Sequence, residues 1–227
     1  MAKHNVAEPE TLGAAMSKTE LFFENNGRKV SYIFLALLVL GGLIYGYRAL
    51  VSQPRAEKAA AAIAEAQLRF NAETPDFELA LNGDATGLGF LDVVEQYGST
   101  ASGNLAKHYA GVCYLKLGDL ENAAAYLAKY NAVKGLAGAL VNAQNLGLQG
   151  DVAVAQQEYK KAVSLYKKAV AAAENNLTAP LYLRKAALAE QALGNAEEAV
   201  ALYEQILAVY PASIEARDAE KALGTIR

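Results

Sequence analysis

Residues 183–211 read LRKAALAEQALGNAEEAVALYEQILAVYP, and this stretch decides the fold. Two alanine-rich runs with apolar side chains at helical spacing flank Gly194, a residue that favours a turn. Ala199 follows five residues after the glycine, Tyr203 follows nine residues after it, and Pro211 closes the second run. Because a small residue lets two helices approach closely and a large one fills the space beside it, the stretch predicts a helix–turn–helix unit.

The same pattern occurs earlier in the chain, around Gly118. The runs YAGVCYLKL and ENAAAYLAKY flank that glycine, and an alanine again follows it by five residues. Ala123 and Leu127 follow this glycine by five and nine residues, at the packing positions of the later unit. Gly111 and Tyr114 precede the turn. A pattern that recurs at a fixed interval indicates an internal repeat.

A middle repeat lies between these two, and its register has two alternatives. In the first, the second helix of the repeat carries its pattern on Tyr159, Ala162, Tyr166 and Ala169, with Gly150 in the preceding helix. In the second, Gly150 itself marks the turn. We favour the first, because it ends the second helix at an asparagine pair, which is a natural stop.

These spaced residues resemble the tetratricopeptide (TPR) repeat, a helix–turn–helix of 34 residues. The resemblance implies an all-α fold in which residues 102–211 form an α-solenoid of about three to four repeats, with the connector included. Residues 52–101 are interpreted as a helical connector or degenerate first repeat, and 212–227 as a C-terminal capping helix. The tryptophan of the motif is absent, and a helical bundle of another kind is the alternative. The predicted repeat-packing residues are Gly111, Tyr114, Gly118, Ala123, Gly150, Ala162, Tyr166, Gly194, Ala199, Tyr203 and Pro211.

A long apolar run precedes the repeats. Residues 30–47 read VSYIFLALLVLGGLIYGY and contain no charge. As a helix they would span ~27 Å, close to the ~30 Å of a bilayer core, so we predict a single-pass anchor over residues 30–51 behind a tail of residues 1–29. The run starts late and lacks a small-residue cleavage site, which favours a retained anchor. Basic residues are nearly balanced on its two sides, and the short tail favours a cytoplasmic N-terminus.

Gly42 and Gly46 form a GxxxG spacing within this run. Such spacing can let two membrane helices pack closely, which predicts a weak homodimer. Glycine is also common in membrane helices, and we favour that simpler explanation.

Composition argues against several function classes. The 21 basic residues are outnumbered by 24 acidic ones, so we expect no nucleic-acid partner. With one cysteine and two histidines, the chain is expected to hold no metal site. The sequence also shows no phosphate-binding loop and no nucleophile–base pair, so we expect neither an enzyme nor a bound cofactor. The glycine-rich stretch 83–89 is interpreted as a flexible connector.

TPR arrays mostly bind peptides or partner proteins along the face lined by the first helix of each repeat. The predicted partner groove is mildly apolar with some positive charge, and consists of Leu105, His108, Val112, Leu115, Lys116, Leu181, Arg184 and Leu188. Packing of some of these side chains between repeats is the alternative.

The layout of tail, anchor and TPR domain resembles a bacterial membrane-anchored family, the YfgM-like ancillary subunits of the SecYEG translocon. The stretches SKTELFFENN, ALNGDATGLGFLDVVEQYGSTASGNLAKHYAGVCYLKLGD and LGNAEEAVALYEQILAVYP carry the resemblance. It implies a bacterial inner-membrane scaffold with a periplasmic TPR domain that meets the translocon, periplasmic chaperones or unfolded clients. A cytosol-facing adaptor in regulation or envelope assembly is the second hypothesis, and a small-ligand-binding or enzymatic helical domain is the third.

The repeat register makes a prediction about Ala123. The substitution Ala123→Leu should overpack the contact between the two helices of its repeat and lower the free energy of unfolding by about 1–3 kcal/mol. Thermal unfolding measures this change, and an unaltered midpoint would show that the register is wrong.

Overall fold

The computed structural model describes residues 11–226, with side chains from residue 22 onward except that of residue 137. Helix dominates this part of the chain, as the sequence predicts. The helices are α1 (Thr11–Tyr47), α2 (Gln53–Phe70), α3 (Phe77–Asn82), α4 (Phe90–Tyr97), α5 (Ala101–Lys116), α6 (Leu120–Lys129), α7 (Leu136–Ala155), α8 (Tyr159–Ala172), α9 (Ala179–Ala192), α10 (Ala196–Val209) and α11 (Ile214–Ile226). Two short strands, β1 (Gly83–Asp84) and β2 (Gly87–Leu88), pair antiparallel.

The chain divides into two compact units, Met1–Pro54 and Arg55–Arg227. In the first unit, α1 runs through the predicted boundary between tail and anchor, and residues 1–10 of the tail lie outside the described residues. A π-helical segment (Arg48–Ser52) follows, in which the N–H of Gln53 donates to the carbonyl of Arg48, five residues back. Because proline has no N–H to donate, Pro54, two residues after this segment, removes one backbone hydrogen bond from the helix.

The glycine-rich stretch between α3 and α4 is ordered, which corrects its interpretation as a flexible connector. Asp84 accepts hydrogen bonds from the backbone N–H and the hydroxyl of Thr86, at 2.8 and 2.6 Å. Arg69 of α2 donates to Asp84 at 2.9 Å and to the carbonyls of Gly87 and Leu88 at 3.1 and 3.3 Å. A single guanidinium therefore satisfies several acceptors of the hairpin at once and fixes it against α2.

Three helical hairpins make up the repeats. We call the first helix of each repeat helix A (α5, α7, α9) and the second helix B (α6, α8, α10). The turns between them have a positive φ at Gly118, Gln157 and Gly194, at 82°, 61° and 80°. The first of the two registers for the middle repeat is therefore correct. The alternative with a turn at Gly150 is wrong, since Gly150 lies inside α7.

Helices A and B approach each other most closely where a small residue faces a large one. A Cβ atom added to Gly111 would lie 2.6 Å from Cγ of Leu127, and one added to Gly150 would lie 2.5 Å from the ring of Tyr166. Both distances are shorter than van der Waals contact, so only glycine fits opposite these side chains. The alanines that follow each turn by five residues are fully buried, namely Ala123, Ala162 and Ala199.

The remaining packing residues lie where the pattern puts them along the chain. Tyr203 is buried, and Tyr114 is half-buried with its ring 5.3 Å from that of Tyr126. Gly118, Gly194 and Pro211 are exposed at the turns and after α10. The hydroxyl of Ser213 then accepts from the N–H of Ala216 and caps α11, which covers the last repeat with its buried alanines and Leu223.

The turn residue Gln157 yields a stability prediction. Its left-handed backbone conformation is costly for any residue with a Cβ, whereas Gly118 and Gly194 adopt it freely at the equivalent turns. We expect Gln157→Gly to raise the free energy of unfolding by about 1 kcal/mol, measured by urea denaturation. The matched control is Gln156→Gly, one residue earlier at φ −85°, which should not stabilise. Equal effects of the two substitutions would contradict the explanation.

Candidate interaction surface

The predicted groove residues lie on two of the A helices, α5 and α9. The prediction is wrong for two of them: His108 is 3% exposed and Val112 is 8% exposed, so neither side chain is available to a partner. Of the others, Lys116 and Leu188 are exposed, while the half-buried members are Leu105, Leu115, Leu181 and Arg184.

His108 links the first two repeats instead of lining a groove. Its Nδ1 accepts a hydrogen bond from Nδ2 of Asn145 on α7 at 3.1 Å. The Oδ1 of Asn145 in turn accepts from Nε2 of Gln149 at 2.7 Å. The ring also packs edge-on against Tyr109 and obliquely against Tyr130, with centroids 5.6 and 5.9 Å away. With Nδ1 as an acceptor, the neutral ring carries its proton on Nε2.

Burial lowers the pKa of His108 to about 4 from its usual 6.5. The physical cause is desolvation, since a charged imidazolium loses its water shell in this position. The side chain is therefore neutral near pH 7 and acts as a structural contact between repeats.

A cleft of about 310 Å³ opens between α7 and α9. We call it the α7–α9 cleft. Its walls are mainly apolar, and it is lined by Asp151, Val154, Tyr159, Tyr166, Lys185, Leu188, Ala189 and Ala192. Of the eight predicted groove residues, only Leu188 belongs to this lining, and 47% of its surface is exposed.

A polar cluster forms one side of this cleft. Nζ of Lys185 lies 2.7 and 2.8 Å from the two carboxylate oxygens of Asp151, and the hydroxyl of Tyr166 donates to the same carboxylate at 2.8 Å. Burial and this hydrogen bond raise the pKa of Tyr166, and burial raises that of Tyr182 to about 12. Because these shifts keep both tyrosines protonated, neither is prepared to act as a base or nucleophile.

Sequence reasoning missed the pairing of Asp151 with Lys185. The two residues are 34 positions apart, the length of a standard TPR repeat, and each lies on a helix A. Oppositely charged residues 34 positions apart, on the A helices of successive repeats, are the signal that could have identified the contact.

Among the side chains that the structure describes (residues 22–226 except 137), no three His, Cys, Asp or Glu side chains come together as a metal site. Burial raises the pKa of the Cys113 thiol to about 12, so the nucleophilic thiolate does not form near neutral pH. The arrangement provides shape and a paired charge, which suit recognition of a partner.

Comparisons with known proteins agree with this architecture. The tetratricopeptide repeat family model matches residues 106–132 and 182–213. The crystal structure of MamA has 17% identity and a TM-score of 0.51, with 66% of this chain and 80% of that chain covered. A putative kinesin light chain from Podosopora anserina with TPR-like repeats has 18% identity and a TM-score of 0.49, with 76% and 86% covered. No curated protein sequence matches. The likeness to MamA concerns the fold alone.

The buried histidine predicts a pH dependence of stability. Its pKa is lower in the folded chain than in the unfolded chain, so protonation favours unfolding. Its contribution is fully present above pH 6.5 and is lost as the pH falls toward 4. Between pH 7 and pH 4, His108 should lower the free energy of unfolding by about 3 kcal/mol.

The measurement compares urea denaturation of the parent and His108→Asn at both pH values. The asparagine Oδ1 can accept from Asn145 but does not titrate, so the variant should lose less stability on acidification than the parent. Identical losses in the two proteins would contradict the assignment.

Proposed function

Because the chain carries tetratricopeptide repeats, we propose that it is a membrane-anchored scaffold whose α7–α9 cleft receives a segment of a protein partner. TPR folds are typically non-catalytic and bind proteins. The observation that carries the proposal is the apolar cleft between successive A helices with an exposed Leu188 at its wall. An apolar side chain of a partner would gain about 25 cal/mol for each Å² of surface removed from water there.

The anchor is supported by α1. From Phe22 onward the described chain contains one helix long and apolar enough to cross a membrane by length and composition, and none of its most apolar window is buried. Large apolar residues along it, such as Ile33, Leu38 and Leu43, are 57–67% exposed. A helix with apolar side chains this exposed along its length is suited to lipid, which would cover them.

The partner class follows from the resemblance to the YfgM-like family. We propose that the second unit lies on the periplasmic side of a bacterial inner membrane, near the SecYEG translocon, and contacts periplasmic chaperones or unfolded clients. An apolar cleft with one fixed ion pair supports this, because it demands little sequence specificity of the segment it receives. The cytosol-facing adaptor remains the competing hypothesis.

Topology is the first test. Two reporters fused after Arg227, one active only outside the cytoplasm and one active only inside, distinguish the hypotheses. We expect activity only from the external reporter. Activity only from the internal one would overturn the periplasmic assignment and direct the search to cytosolic partners.

The cleft itself is tested by site-specific photocrosslinking in cells. A photoreactive amino acid in place of Leu188 should give adducts with translocon subunits or periplasmic chaperones, identified with specific antibodies. The matched control carries the same amino acid in place of Glu220, an exposed residue of α11 outside the cleft lining. Equal adducts from the two positions, or none from Leu188, would contradict the proposed binding site.

A further inference from the structure

The B helices of the second and third repeats carry matching exposed stripes of opposite charge. On α8, the exposed stripe consists of Lys160, Lys161, Ser164, Lys167, Lys168 and Ala171. On α10, it consists of Glu197, Glu198, Ala201, Glu204, Gln205 and Ala208. Each member of the second stripe follows its counterpart by 37 residues, the same interval that separates the turns at Gln157 and Gly194.

Helical geometry puts each set on one side of its helix. Positions spaced by three, four and seven residues share a face, and all members of both stripes are exposed. The opposite faces are buried, for example at Tyr166 and Tyr203. Because α8 and α10 are equivalent elements of successive repeats, the two stripes point to the same side of the array.

The charges of these stripes are only partly compensated within the chain. Lys161 pairs with Glu158 at 2.6 Å, and Lys167 lies 3.8 Å from Glu190. By contrast, within the part of the chain whose side chains the structure describes, no hydrogen bond or ion pair is formed by Lys160, Lys168, Glu197 or Glu198. Glu204 already interacts within the chain, so the argument does not depend on it.

We propose that this face binds a second copy of the same chain about a two-fold axis, with α8 of each copy against α10 of the other. In a two-fold interface each residue meets its counterpart reciprocally, so one symmetry operation creates two lysine–glutamate contacts. Small residues in the middle of the stripes, Ser164 and Ala201, allow the two helices to approach closely. The stripes share no residue with the lining of the α7–α9 cleft or with the Gly42–Gly46 spacing.

The contact depends on charge pairs at an exposed surface, so it should be weak and sensitive to salt. Exposed ion pairs contribute little each, and ions at about 0.15 M screen charges beyond roughly 8 Å. The complementary stripes therefore set the partner and its orientation more than the affinity.

The test is crosslinking of two single-cysteine variants of the full chain in detergent micelles. Ser164→Cys and Ala201→Cys are purified separately and treated with a short bismaleimide, alone and as an equal mixture. We expect at least fivefold more covalent dimer from the mixture, because residue 164 of one copy faces residue 201 of the other. The native Cys113 is buried and does not compete for the reagent.

Charge reversal separates the proposed contact from general association. Adding Lys160→Glu and Lys161→Glu, whose counterparts 37 residues on are Glu197 and Glu198, to the Ser164→Cys chain should abolish the excess dimer. Adding Glu197→Lys and Glu198→Lys to the Ala201→Cys partner should then restore it. The matched control reverses two exposed lysines outside the stripe, Lys116→Glu and Lys221→Glu, with the same change in net charge and no expected loss.

A chain with both cysteines distinguishes a closed dimer from an open array. A two-fold dimer should give one dimer band, and raising the salt to 0.5 M should reduce it. Equal crosslinking of mixed and unmixed variants, a ladder of larger products, or no rescue by the compensating reversal would overturn the proposal.

Discussion

The close approach of helix A to helix B within each repeat is the contact on which the rest of the structure depends. Gly111 and Gly150 leave room for Leu127 and Tyr166, and the third repeat has Ala187 and Tyr203 at the same two positions. When the two helices of a hairpin are this close, the large side chain of helix B packs directly against helix A of the same repeat. The buried alanines five residues after each turn form the rest of this contact.

Stacking of these hairpins produces an uneven core. One large cluster extends from α7 to α11, and a second joins α2, α3 and α4 to α5. Between them lies a small cluster of only three buried residues, Ala123, Leu127 and Val152. At this junction polar contacts supplement the apolar ones, because His108 bonds Asn145 and the carbonyl of Val133 accepts from Asn142 at 2.8 Å. Specific hydrogen bonds thus hold the first repeat to the second where apolar burial is limited.

The repeat also separates the chain's two candidate surfaces. Side chains of α7 and α9, with Tyr159 and Tyr166 of α8, form the α7–α9 cleft, whereas the outer sides of the B helices α8 and α10 carry the charged stripes. Helices A and B of a hairpin pack against each other along their facing sides, so each keeps one exposed face. Residues on that exposed face can differ between repeats without disturbing the contact between the two helices. Equivalent exposed positions lie 37 residues apart, and α8 carries lysine at several of those where α10 carries glutamate. Both helices nevertheless form the same hairpin fold.

The sequence by itself determined the helical hairpins, their turns at Gly118 and Gly194, and the long apolar helix, because these depend on local spacing and composition. Spacing also favoured the correct register of the middle repeat, although the turn there uses Gln157, which no glycine signal marks. Only the tertiary structure decided which helix A side chains remain accessible. His108 and Leu188 both fit a helix A pattern, yet one is buried against the next repeat and the other is exposed. Burial of this kind depends on how successive hairpins stack, a long-range contact that the sequence of one repeat does not encode.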